Sequence, residues 1–70
     1  MYIFSQNKEA IVNLDSNSAI YISYSEKEKD FRIDTDCVIL ARYSDKETAK
    51  KMLIKIYTGL KNGDKFFEVE

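Results

Sequence analysis

The side chains that could do chemistry in this 70-residue chain begin with its single cysteine, Cys37. A nucleophilic or redox thiol needs a neighbouring base or cation that favours the thiolate, and the chain contains no histidine to serve as that base. Cys37 also begins the longest apolar run of the sequence, Cys37–Ala41, which is typical of a core strand. We therefore predict a buried and inert thiol.

Aspartates are the next candidates, because carboxylate oxygens bind calcium and magnesium. Asp30, Asp34 and Asp36 lie close together in sequence, and Asp15 stands apart from them. The segment 34–36 has neither the glycine nor the number of ligands that a calcium loop needs, so we interpret these aspartates as turn residues. No spacing among the twelve acidic residues selects a catalytic pair. The sequence predicts no metal, no cofactor and no enzymatic activity.

Lysines form a third group, concentrated in residues 45–61. This segment has a net charge of +3, which leaves −4 for the rest of the chain. Lys46, Lys50 and Lys61 flank one side of the predicted apolar stripe of a helix. They are either a solvated helix surface or a patch for an anionic ligand or acidic partner. No glycine-rich phosphate loop accompanies them.

Aromatic residues make up 13% of the chain and are the most informative group. In the run 19–24, isoleucines alternate with Ala19 and Tyr21, so this predicted strand is apolar on both faces. One helix can cover only one face of a sheet, so the other face must curl around itself or pack against another molecule. We predict that Tyr21 and Tyr24, with Lys46, Lys50 and Lys61, form a ligand or partner surface.

The helix that must position these lysines has clear boundary signals. The segment Ser44–Glu47 matches a capping box, which predicts Ser44 as the N-cap, and Asn62-Gly63 predicts the C-terminal stop. Apolar residues between them recur at helical spacing on one face: Ala49, Met52, Leu53, Ile56, Tyr57 and Leu60.

Short strands are predicted on both sides of the helix, separated by polar turns at 15–18, 26–30 and 34–36. They cover residues 2–4, 10–14, 19–24, 31–33, 37–43 and 65–69, and the first two form a hairpin or one bent strand. We expect the most apolar strand, 37–43, to be central. The predicted fold is a single α+β domain over residues 1–70: an antiparallel sheet of five to six strands, open or strongly curled, in the order β-β-β-β-β-α-β.

Composition excludes several classes of partner. A net charge of −1 and a pI near 5.4 argue against nucleic acid, which selects for a basic excess. The longest apolar run is far shorter than the roughly 20 residues of a membrane span. The first six residues lack the basic start and apolar region of a signal peptide. We expect a cytoplasmic protein that binds neither nucleic acid nor membrane.

Four segments resemble a group of small uncharacterised proteins of Gram-positive bacteria and their phages. The segments are Met1-Tyr2-Ile3-Phe4-Ser5-Gln6, Val12-Asn13-Leu14-Asp15, Val38-x-Leu40-x-x-Tyr43 and Ser44-x-x-Glu47-x-Ala49. The chain departs from that group at Ala41, where glycine is frequent, and at Arg42, where an acidic residue is frequent. The resemblance implies a phage or prophage-bearing bacterium as the source, and it gives no activity that could be carried over to this chain.

The sequence therefore favours a non-enzymatic interaction module that forms a homodimer or higher homo-oligomer through its sheet. Two alternatives stay open. One is a phage counter-defence protein that sequesters a nucleotide-like anion by stacking on tyrosines and pairing with lysines. The other is an inhibitor that binds a host protein.

Overall fold

Six strands and one α-helix make up the computed structural model, which describes residues 1–16 and 19–70. The elements are β1 (Tyr2–Phe4), β2 (Ile11–Asn13), a 3-10 turn (Leu14–Ser16), β3 (Ile20–Ser25), β4 (Asp30–Thr35), β5 (Ile39–Tyr43), α1 (Lys46–Lys61) and β6 (Phe66–Glu68). The α+β class, the single helix and its place before the last strand confirm the prediction. Residues 17 and 18 of the predicted turn at 15–18 lie outside the described residues.

The strands form two three-stranded sheets, so the prediction of one antiparallel sheet was wrong. Sheet A has the order β2-β1-β6, and sheet B has the order β3-β4-β5. Within sheet A, β1 is antiparallel to β2 but parallel to β6. Local turn signals predict hairpins between consecutive strands, whereas β1 and β6 meet from opposite ends of the chain and no turn encodes that pairing.

The strand predicted to be central, β5, is an edge strand of sheet B, and β4 is central instead. The β5 strand also starts later than predicted, because the Thr35 hydroxyl accepts from the main-chain N–H of Cys37 and Val38 and donates to the Val38 carbonyl oxygen. These bonds close a turn over residues 35–38, so β5 starts only at Ile39. Cys37 lies in that turn and is exposed, which contradicts the predicted buried thiol.

The helix begins one residue later than predicted, with Asp45 rather than Ser44 as its N-cap. The Asp45 carboxylate accepts from the Thr48 hydroxyl at 2.7 Å and from the Thr48 main-chain N–H at 3.0 Å. These two hydrogen bonds, with the hydroxyl making the larger contribution, lower the pKa of Asp45 below its ordinary value. At the other end, Gly63 has a φ of 77°, the left-handed conformation that glycine adopts without strain.

The helix packs against sheet B, and both sheets contribute to one core. The buried core side chains come from both sheets, the helix and the residue after β6: Ile3, Val12, Ile33, Leu40, Ala41, Met52, Ile56 and Val69. The buried helix face is rotated toward Gly59, which Met1 and Phe67 approach closely because it has no side chain. Tyr57 and Leu60, which were predicted to be on the buried stripe, are therefore exposed.

Candidate interaction surfaces

The outer face of sheet A is apolar and exposed. Because side chains alternate along a strand, Ile3 and Val12 point into the core, and Tyr2 and Phe4 point away from it. The register places Phe66 beside Tyr2 and Ile11 beside Phe4. We call these four outward side chains the apolar face: Tyr2, Phe4, Ile11 and Phe66.

Exposure on the apolar face is high for residues of this type. Ile11 is 70% exposed, Phe66 is 75% exposed and Tyr2 is 46% exposed. The rings of Tyr2 and Phe66 stack with their centroids 6.0 Å apart. Phe4 is partly buried and lies with them along an open groove of about 540 Å³ that reaches Phe67. Four adjacent side chains of this kind form a contiguous patch rather than scattered exposed residues.

An ion pair lies beside Phe4 at one side of the apolar face. The Lys8 ammonium sits 5.1 Å from the centroid of the Phe4 ring and pairs with the Glu68 carboxylate. The loop that carries Lys8 is held by Ser5, whose buried hydroxyl donates to Asn7 and accepts from the Ala10 main-chain N–H. The ordered loop therefore keeps a neutral ion pair beside the aromatic rings.

The outer face of sheet B has the opposite chemistry. Asp30, Arg32 and Asp34 alternate along β4 on the side away from Ile33, and Arg42 stands beside Arg32 on β5. We call these four side chains the charged face. Asp30 contacts both arginines, at 3.7 Å from Arg32 Nε and 3.3 Å from Arg42, and Asp34 accepts from the Ser23 hydroxyl.

The charged face is densely packed for a surface cluster. Asp30 Oδ1, Arg32 Nε and Asp34 Oδ1 are buried and have no hydrogen-bond partner among the described residues. Asp30 Oδ1 and Arg32 Nε are nevertheless the two atoms of the 3.7 Å ion pair, so they stabilise each other electrostatically although they are too far apart for a hydrogen bond. The positive and negative charges of this face are equal in number.

The two tyrosines predicted as a ligand or partner surface lie on opposite faces of β3. Tyr21 is paired with Asp34 and points to the side of the charged face. Tyr24 points to the other side, where its ring centroid lies 4.9 Å from that of Phe31. Each is about half exposed. They do not form one stacking platform.

The predicted lysines are also spread out. Lys46, Lys50 and Lys61 are all exposed, and they lie along the full length of α1. At about 1.5 Å of rise per residue, Lys46 and Lys61 are roughly 22 Å apart along the helix axis. They do not converge on a single anion-sized site.

Sequence reasoning missed the apolar face, although a signal for it was present. Tyr2-Ile3-Phe4 is apolar at three successive positions, so this strand is apolar on both faces in the same way as 19–24. Which face of the strand stays exposed depends on the packing of α1, which covers sheet B rather than the outer side of sheet A.

The described parts of the chain, residues 1–16 and 19–70, contain neither a metal-binding cluster nor a membrane-spanning helix. In those residues no group of three or more cysteine, aspartate or glutamate side chains could hold a metal ion. The helix described here is not long and apolar enough to cross a membrane.

Comparison of the chain with models of protein families, with curated proteins and with solved structures found no match. The function is therefore inferred from the chemistry of these two faces and of the sheet edges beside them.

Proposed function

We propose that this chain is a small non-catalytic interaction module that self-associates through the apolar face of sheet A. The observation that carries this proposal is the contiguous exposed patch of Tyr2, Phe4, Ile11 and Phe66. A soluble monomer rarely leaves so many adjacent large apolar side chains in water.

The size of the chain strengthens the case for association. A domain of about 60 residues buries only about 60% of its unfolded-chain surface, so added burial matters more than in a larger protein. Complete burial of one large apolar side chain contributes about 1.5–3 kcal/mol. Ile11 and Phe66 are the most exposed members of the face and offer the largest gain.

A second copy is the occupant that fits the charges. In a two-fold interface the same patch meets itself, so a patch with a net charge would repel its copy. Of the charges beside the apolar face, Lys8 and Glu68 form one ion pair, and the Met1 ammonium and Asp15 form another. Two copies can therefore meet without net repulsion.

Source and compartment remain part of the proposal. The resemblance of residues 1–6 and the later segments supports a phage or prophage-bearing Gram-positive bacterium, and with it a cytoplasmic location. Nucleotide sequestration has weaker support, because Tyr21 and Tyr24 lie on opposite faces of β3 and the three lysines are spread along α1.

The test is sedimentation velocity over a range of protein concentrations. We expect the wild type to associate, and the double variant Ile11→Thr, Phe66→Ser to have a lower mass at concentrations where the wild type associates. Each substitution removes burial equivalent to about 1.5 kcal/mol or more, so each should weaken association by about tenfold or more.

The matched control is Ile54→Thr, Tyr57→Ser, because these helix residues are about as exposed, at 61% and 62%. The control should keep the wild-type mass. Circular dichroism should show the same folded spectrum for all three proteins. A wild type that stays monomeric, or a control that loses mass as much as the test variant, would overturn the proposal.

A further inference from the structure

Sheet edges expose unpaired main-chain groups, and proteins usually protect them with short strands, charges, proline, bulges or a covering segment. Three of the four edges in this fold are protected. In sheet A, β2 and β6 have only three residues each. In sheet B, β5 is covered by Gln6, whose main-chain N–H donates to the Leu40 carbonyl at 2.8 Å and whose side-chain oxygen accepts from Arg42 N–H at 2.9 Å.

The remaining edge belongs to β3, and among residues 1–16 and 19–70 none of these features protects it. The strand is six residues long, Ile20–Ser25, and contains no charged residue and no proline. Its register with β4 runs through all six pairs without a shift, whereas the β4–β5 pairing shifts between Ile33 and Asp34. No other described strand pairs with the far side of β3.

We infer that the free edge of β3 pairs with β3 of a second copy of this chain, in antiparallel orientation. Such a pair joins two copies of sheet B into one six-stranded sheet. Its two-fold axis is perpendicular to the sheet, so each side chain meets one from the same face of the copy. The side of sheet B that the helix covers therefore lies next to the same side of the copy. The side that carries the charged face likewise lies next to the charged face of the copy.

Side-chain pairing supports a second copy as the occupant. An axis through Ile22 places Tyr24 opposite Ile20 of the copy, and an axis through Ser23 places Tyr24 opposite Ile22 of the copy. In both registers an aromatic side chain meets a β-branched one, which is a favourable cross-strand pair. On the other side of the sheet, Tyr21 meets a serine, and no strand residue meets a like charge.

This contact goes beyond the proposed function, because it uses the edge of sheet B rather than the apolar face of sheet A. A chain with two different two-fold contacts assembles beyond a dimer. Removing either contact alone should leave a dimer held by the other. The contact through the apolar face and the contact through β3 can therefore be tested independently.

The test uses the Ile11→Thr, Phe66→Ser double variant, in which only the β3 contact remains. We expect this protein to be a dimer by sedimentation velocity. Adding Tyr24→Lys should convert it to a monomer, because in either register it replaces the favourable pair of Tyr24 and an isoleucine with a charge at an edge that carries none. The control is Tyr57→Lys in the same background, which changes an exposed helix residue and should leave the dimer intact.

Hydrogen exchange provides a second readout that needs no substitution in β3. The main-chain amides of Ile20–Ser25 that point away from β4, which are every second one, should exchange more slowly as the concentration of the double variant rises. If Tyr24→Lys does not fold, Tyr21→Lys takes its place. A double variant that is monomeric at concentrations where the wild type associates, with β3 exchange independent of concentration, would overturn the β3 contact and leave the proposed function standing. If Tyr24→Lys alone reduced the wild type to a monomer and the double substitution had no effect, the proposed function would be overturned and the β3 contact would stand.

Discussion

The outer faces of the two sheets differ in which side chains they leave without a partner. Both sheets have three strands, and both place a fully buried isoleucine in the shared core, Ile3 in sheet A and Ile33 in sheet B. On the outside, sheet B carries carboxylates and guanidinium groups that contact one another. Sheet A carries aromatic and aliphatic side chains that face solvent.

The difference shows that charged side chains can compensate one another within one chain, whereas an exposed apolar face needs another surface. Asp30 has two arginine neighbours, so the charges of sheet B stabilise each other without a partner. The stacked rings of Tyr2 and Phe66 cover part of each other, but Phe66 remains 75% exposed. We therefore expect the charged face to contribute to the stability of the monomer and the apolar face to association.

The largest expected effect comes from the inner faces of the two sheets, which should contribute about equally to the free energy of unfolding. Ile3→Ala and Ile33→Ala each remove a fully buried side chain and should lower the free energy of unfolding by about 2–5 kcal/mol. Urea denaturation of both variants measures this. A loss below about 1 kcal/mol for Ile3→Ala alone would mean that sheet A is not part of the cooperative core.

The next effect separates the two outer faces. Asp30→Ala leaves two arginines without their carboxylate partner and should lower the free energy of unfolding by about 1–3 kcal/mol. Phe66→Ser, on the apolar face, should change it by less than about 0.5 kcal/mol when the protein is dilute enough to be monomeric. Equal losses in the two variants, measured by urea denaturation at low concentration, would remove the distinction between the faces.

The parts of the fold that sequence reasoning predicted are those encoded locally. Capping residues, an apolar stripe and Asn62-Gly63 predicted the helix, and the charged run 26–30 predicted the turn between β3 and β4. The parts it missed depend on contacts between distant residues. The parallel pairing of β1 with β6 is one example, and the rotation of the helix toward Gly59, which Met1 approaches, is another.

The candidate site shows the same limit. The excess of apolar strand positions was visible in the sequence, but its location was not. The sequence predicts Tyr21 and Tyr24 as the surface because strand 19–24 is apolar on both faces, whereas the contiguous exposed patch is built from β1, β2 and β6. Only the pairing of three short strands far apart in sequence brings Ile11 and Phe66 beside Phe4 and Tyr2.

A smaller effect is expected where the two sheets meet. The Tyr43 hydroxyl on β5 donates to the main-chain oxygen of Glu70, just beyond β6. Tyr43→Phe should lower the free energy of unfolding by about 0.5–1.5 kcal/mol near neutral pH, because it removes this hydrogen bond. Urea denaturation at several pH values measures the difference.

The pH dependence of that difference has a definite sign. Burial, and secondarily the Glu70 carboxylate, raise the pKa of Tyr43 above its ordinary value. The folded state therefore holds the phenol proton more tightly than the unfolded state does. The contribution of Tyr43 is complete below the unfolded pKa of about 10, and it is lost as the pH rises through the folded pKa. A difference between wild type and Tyr43→Phe that does not shrink at alkaline pH would contradict this assignment.

The smallest effect concerns the ion pair beside the apolar face, which resembles the charged face of sheet B in kind but not in burial. The side chains of Lys8 and Glu68 are 46% and 61% exposed, whereas Asp30 is 18% exposed. Glu68→Gln should therefore lower the free energy of unfolding by less than about 1 kcal/mol, and added salt should reduce that loss.

The same variant leaves a net positive charge beside the apolar face in each copy, so it should weaken association more than it destabilises the monomer. Urea denaturation and sedimentation velocity at low and high salt measure the two quantities. If Glu68→Gln lowered the free energy of unfolding as much as Asp30→Ala does, the ion pair of sheet A would stabilise the fold as strongly as the charged face of sheet B. The two faces would then differ only in their aromatic and aliphatic side chains.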